Sequence, residues 1–108
     1  MDLERYSFVL LCRPPDAPDL PEERLDELQE QHLAHLDVLR KRGVLVLAGP
    51  FGDRPDETFR GLCVLDTSLE ETRELMSRDP SVQAGRMTPV VMSFWTLPGS
   101  LPAPSGSS

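Results

Sequence analysis

His32 is the residue whose type and place in this sequence most invite chemistry. It falls in a segment where leucine recurs at Leu25, Leu28, Leu36 and Leu39, the three- and four-residue steps of one helix face. At about 100° per residue, His32 projects near the middle of that stripe. Leucine would serve packing there, whereas imidazole is polar and titrates near neutrality. Such a histidine is a core residue satisfied by a backbone carbonyl, a partly exposed one at the helix margin, or a base facing a pocket. His35 lies at the stripe's edge, which points to a solvated role. The two histidines could share a metal, but no third ligand follows at a suitable spacing, so no metal site is expected.

Asp79 is the second catalytic candidate. Its place before Pro80 suits an N-cap for a short turn over 80–84. A carboxylate there that also reached His32 would fix the ring's tautomer and complete a proton-transfer dyad. Gly49-Pro50 and Gly85 are chain-turning devices by default. Their functional reading is substrate binding, through close approach of main chain to a ligand. Cys12 and Cys63 form no C-x-x-C pair and fall in apolar runs, where a small buried thiol is commoner than a nucleophile.

The elements that must position these residues follow from periodicity and punctuation. Residues 5–12, RYSFVLLC, read as a strand stopped by Arg13-Pro14-Pro15. Asp19 with Glu22 fits a capping box, with Pro21 in the first turn of a helix running from Glu22 to Arg42. Arg40, Lys41 and Arg42 suit its negative end, and Gly43 its stop. Residues 44–48 read as a second strand closed by Gly49-Pro50, and residues 59–66, FRGLCVLD, as a third. Thr67 and Ser68, each with a glutamate three residues on, open a second helix that reaches Arg78 and ends before Asp79-Pro80. Alternation over Met87 to Leu97 gives a long final strand. Residues 1–97 make one domain, and the Pro/Gly/Ser-rich stretch 98–108 is expected to be a disordered tail.

The order strand, helix, strand, strand, helix, strand is the ferredoxin-like split βαβ pattern. It is an α+β fold with one antiparallel sheet and two helices on one face. The strands carry apolar residues on both sides, Phe8 and Leu10 against Val9 and Leu11, and Phe94 against Trp95. A second copy is therefore expected to cover the free face, closing two sheets into a dimeric α+β barrel.

Composition narrows the partners. The 108 residues hold 11 Lys and Arg against 18 Asp and Glu, a net charge of −7. That excess repels phosphate backbones and anionic headgroups, so neither nucleic acid nor a membrane surface is expected as a partner. No run approaches the roughly 20 apolar residues of a membrane span. The acidic start MDLERYSFVLL lacks the basic lead-in of a signal peptide, so a cytoplasmic location is expected.

Several of these features occur together in a known family. Gln31-His32-Leu33-Ala34-His35-Leu36, Leu47-Ala48-Gly49-Pro50, Gly61, and Arg78-Asp79-Pro80-Ser81-Val82-Gln83-Ala84-Gly85 resemble, in order and spacing, the YCII-related family over residues 5–97. The resemblance implies a dimeric ferredoxin-like α+β barrel whose family histidine and aspartate, here His32 and Asp79, form an active site. Related domains include a dehalogenase acting on chlorinated muconolactones, in the same structural group as muconolactone isomerases. The proline-rich loop 13–21, the stretch GDRPDETF and the Ser-rich tail depart from shorter members.

The function expected is that of a small cofactor-independent enzyme. In it a His32–Asp79 pair moves a proton on a small organic molecule, as in a lyase, isomerase or dehalogenase. The alternative is a non-catalytic dimeric module that binds a small ligand or serves as an accessory to another protein.

Overall fold

A computed structural model of the protein describes residues 2–102. The elements run β1 (Glu4–Cys12), α1 (Glu22–Lys41), β2 (Leu45–Pro50), β3 (Phe59–Leu65), α2 (Leu69–Ser77), α3 (Pro80–Gln83) and β4 (Thr88–Thr96). The four strands form one sheet in the order β2-β3-β1-β4, every pair antiparallel. This is the ferredoxin-like α+β arrangement, with α3 as an added helical turn.

Strand alternation divides the sheet cleanly. Ser7, Val9 and Leu11 point toward the helices and are buried. There they join Cys63, Leu65, Leu39, Leu75 and Met76 in the core. The opposite face is also apolar: Phe8 sits across from Val64 and Met92, and Leu10 across from Leu62 and Val90. Among the described residues this face is left open along β4, where Val90, Met92 and Phe94 are each more than 40% exposed, while Val64 on β3 is buried.

Three local expectations are corrected. The Asp19–Glu22 capping box does not form, because the residue at the N-cap is Pro21, which has no side-chain acceptor. Its carbonyl instead receives the N–H groups of Arg24 and Leu25 at 2.9 and 3.0 Å, and Glu22 and Glu23 place negative charge at the positive end of the helix. At α2 only Ser68 caps, accepting the Glu71 N–H at 3.1 Å. Thr67 turns its hydroxyl to Thr72 at 2.7 Å. Gly49-Pro50 is not a turn after β2 but its last two residues, opposite Leu62 and Gly61. Proline is tolerated because β2 is an edge strand. Phe51 N–H reaches inward to the Arg60 carbonyl at 3.0 Å, so by alternation the Pro50 nitrogen faces outward.

The sheet has two irregularities. Leu11 pairs with Gly61 and Cys12 with Phe59, leaving Arg60 as an extra residue. Leu45 pairs with Leu65 and Leu47 with Val64, leaving Val46 unpaired. Bulges of this kind bend a strand and re-aim side chains.

Beyond β4, Ser100 N–H closes a turn on the Leu97 carbonyl at 3.0 Å. Gly99 N–H donates to the Glu4 carboxylate at 2.6 Å. The remainder of the expected disordered tail, residues 103–108, lies outside the described residues. Among the described residues no helix is long and apolar enough to cross a membrane.

Candidate active site

Helix α1 crosses the helix-facing side of the sheet with Leu28, His32 and Leu39 buried, the four- and seven-residue steps that keep them on one face. His32 is 8% exposed. Its Nδ1 is hydrogen-bonded to Oδ2 of Asp79, a residue fully removed from solvent. The chain folds this way at Asp79 because α2 stops there and α3 starts. Asp79 is the N-cap of α3, with Pro80 at the first helical position, and its Oδ1 accepts the Ser81 N–H at 2.8 Å. One carboxylate thus caps a helix with one oxygen and holds an imidazole with the other. The N-cap and the contact with His32 are made by the same carboxylate.

The bond assigns the ring's proton. A carboxylate accepts, so in neutral His32 the hydrogen sits on Nδ1 and the lone pair on Nε2. No protein group is hydrogen-bonded to Nε2 among the described residues. The ring lines an open cleft of about 730 Å³ between α1 and the strands β2 and β3, within the roughly 300–1,000 Å³ usual for small-molecule sites. Leu33 and Leu36 from α1, and Leu11 and Leu45 from the sheet, give it mostly apolar walls.

Gly49 and Pro50 line the same cleft, so these two positions and His32 are brought together. Gly85 is not among its lining residues. Its φ of 76° and the contact an added Cβ would make with Pro18 mark it as the left-handed turn after α3, where its N–H reaches Val82 O at 3.0 Å. Gly85 therefore stands apart from the cleft that His32, Gly49 and Pro50 line. His35 is not a solvated surface residue either. Its Nε2 donates to the Leu75 carbonyl at 2.9 Å, tying α1 to α2. Cys63 lines the cleft but is buried. Burial, and after it the charge of Asp79, pushes its thiol up to about 12, so it stays protonated and poorly nucleophilic at neutral pH.

Two lining residues, Arg54 and Arg60, escaped the reading of the sequence. The available signal was a charged residue inside the apolar strand FRGLCVL, and the β-bulge that aims it was not visible. Burial, then repulsion from Arg13 and Arg54, holds the Arg60 guanidinium below its ordinary range, with Glu57 acting against them.

The YCII-related domain model matches residues 7–96, most of the chain. The chain belongs to the YCII-related family. No curated protein sequence matches it. Among solved structures, this YCII-related chain is similar to 5-chloro-2-hydroxyhydroquinone dehydrochlorinase from Burkholderia phenoliruptrix AC1100, in complex with 2,5-dihydroxybenzoquinone. The two are 20% identical, with a TM-score of 0.53 over 84% of this chain and 91% of the other. At that identity the likeness establishes a shared fold.

Proposed function

We propose that the protein is a small cofactor-independent enzyme in which His32 moves a proton on a small organic molecule held in the cleft. The reaction class is elimination or isomerisation next to a carbonyl. The observation that carries this reading is His32 itself: Nδ1 engaged by Asp79, Nε2 without a partner among the described residues, and the ring on the wall of a largely apolar cleft. Proton abstraction from carbon needs a base with a free lone pair, a fixed orientation and few competing waters. Asp79 acts through the imidazole, setting its tautomer and angle, and is a positioning residue. Gly49 and Pro50 form the wall opposite α1. The dehydrochlorinase of similar fold is consistent with this class, since removal of HCl from an organic ring is a proton-transfer elimination.

We propose in addition that the working unit is a homodimer comprising residues 1–97 of each chain. The apolar side chains that the described residues leave exposed along β4 support this.

The test is carbon–hydrogen exchange in D2O, followed by NMR on small lactones and related carbonyl compounds. His32→Asn should abolish catalysed exchange. Asp79→Asn should reduce it and move the ring-nitrogen chemical shifts of His32, which report the tautomer. Exchange unchanged in His32→Asn would end the enzymatic reading and leave a cleft that only binds.

A further inference from the structure

We infer that the cleft takes its substrate as a small organic acid, with the carboxylate seated on Arg60 and flanked by Arg54 and Arg13. This rests on the reading of the cleft as the substrate site and adds the substrate's charge and orientation to it.

The argument begins with the bulge. Arg60 is the residue that β3 inserts between the pairs Leu11–Gly61 and Cys12–Phe59. An arginine inside an apolar strand would ordinarily be an error of patterning. Here the extra residue turns the side chain into the cleft, where it is only 24% exposed. It also lines a smaller cavity of about 200 Å³ that holds Arg13 and Arg86 and shares Gln29 and Met87 with the cleft. Arg60 therefore stands where the two spaces meet.

Charge at that junction is not balanced. Arg13 and Arg60 share a single carboxylate oxygen, Oε2 of Glu57, at 3.2 and 3.1 Å. Arg54 has no ion-pair partner among the described residues, and the charges acting on Arg60 are Arg13, Arg54 and Glu57. Asp56, in the same loop, is turned back onto the Thr58 N–H at 2.7 Å. Arg13, Arg54 and Arg60 thus have one carboxylate, that of Glu57, among them in a chain whose net charge is −7, while Arg86 donates to the Pro18 carbonyl at 2.8 Å. The cleft's remaining arginine, Arg40, is bound to Asp37 through two of its nitrogens, at 3.0 and 2.6 Å, which leaves the excess at the loop end alone.

One donor there has no acceptor among the described residues. Nε of Arg13 is buried without a hydrogen-bond partner, a condition proteins seldom leave unexplained. Guanidinium pairs select planar two-oxygen anions because two parallel N–H bonds fit a carboxylate. The walls between this cluster and His32 are apolar, so the fitting molecule has an anionic head at Arg60 and an uncharged body extending toward Nε2. A carboxylate so held would also orient the carbon acid before its proton is taken.

The experiment uses benzoate as the anionic probe and benzamide as its neutral counterpart, titrated into the full chain and followed by amide chemical shifts. Benzoate should bind at least about tenfold more tightly than benzamide, with the shifts centred on Arg54, Arg60 and the β2 wall. Arg60→Gln should erase that preference and leave benzamide binding unchanged. Arg54→Gln, which removes no hydrogen bond in the structure, should reduce it in part without altering the fold. Arg60→Lys should recover some of the preference, keeping the charge and losing the fork. His32→Asn should leave it intact, so an inactive base and a wrong substrate charge are told apart. Equal binding of the two probes, no benzoate binding at millimolar concentration, or an unaltered preference in both arginine variants would overturn the inference.

Discussion

A Cβ on Gly61 would lie 2.6 Å from the carbonyl oxygen of Gly49. The strands β3 and β2 are thus pressed together within the cleft wall, and glycine on β3 is what lets them close. Gly49 has the opposite situation: a Cβ there meets nothing within 4 Å.

Gly61→Ala should therefore destabilise the protein by about 1–3 kcal/mol, because backbone has to move to relieve the contact. Gly49→Ala should change stability by less than about 0.5 kcal/mol. Urea denaturation of the two variants beside the parent chain reads the difference. Equal effects would show that the strands separate without cost.

Removing the Asp79 carboxylate should be severe for stability as well as for exchange. Asp79→Ala strands the Ser81 N–H and the His32 ring in a buried setting, at a cost of about 3 kcal/mol. His32→Ala and the double variant complete a cycle. A coupling of at least about 1 kcal/mol is expected for groups in direct contact, and additive losses would contradict a joint role.

The two histidines should separate cleanly. His35→Leu loses one hydrogen bond, to the Leu75 carbonyl, and should cost about 1 kcal/mol while leaving carbon–hydrogen exchange at the parent rate. His32→Asn should lower that exchange by about a hundredfold or more. Parallel rate and melting measurements on both variants decide it.

Cys63 gives a pH prediction whose sign is fixed by its environment. The folded thiol titrates at about 12, against roughly 8.5 in an unfolded chain. The folded state therefore holds its proton longer, and the resulting stability is fully present below about pH 8.5 and is lost as pH rises toward 12. At neutral pH a disulfide reagent should label the half-buried Cys12 before Cys63. Rapid labelling of both thiols in the native protein would contradict the burial of Cys63.

Much of this architecture was legible because it rests on signals only a few residues long. The leucine steps of α1 placed His32 on the buried face, the Asp79-Pro80 pair ended one helix and capped the next, and alternation marked β1 and β4. What was not legible depends on strand pairing. Whether Gly49-Pro50 is a turn or the end of an edge strand depends on which strand lies beside it. Arg60 enters the cleft only because β3 carries one residue more than β1 at that point. His35 finds its acceptor on α2, far along the chain, where helix periodicity alone assigns it to water. The spacing of Asp19 and Glu22 suggested a cap, but Pro21 at the helix entrance leaves that cap no side chain to use.

Prolines stand in both outer strands, Pro50 in β2 and Pro89 in β4. A backbone nitrogen without hydrogen cannot add a rung to a growing ladder, so each rim of the sheet is interrupted for any intruding strand. Copies of this chain are thereby discouraged from stacking side by side into fibrils, and the broad greasy surface between the rims can remain adhesive without making the polypeptide prone to run-away polymerisation.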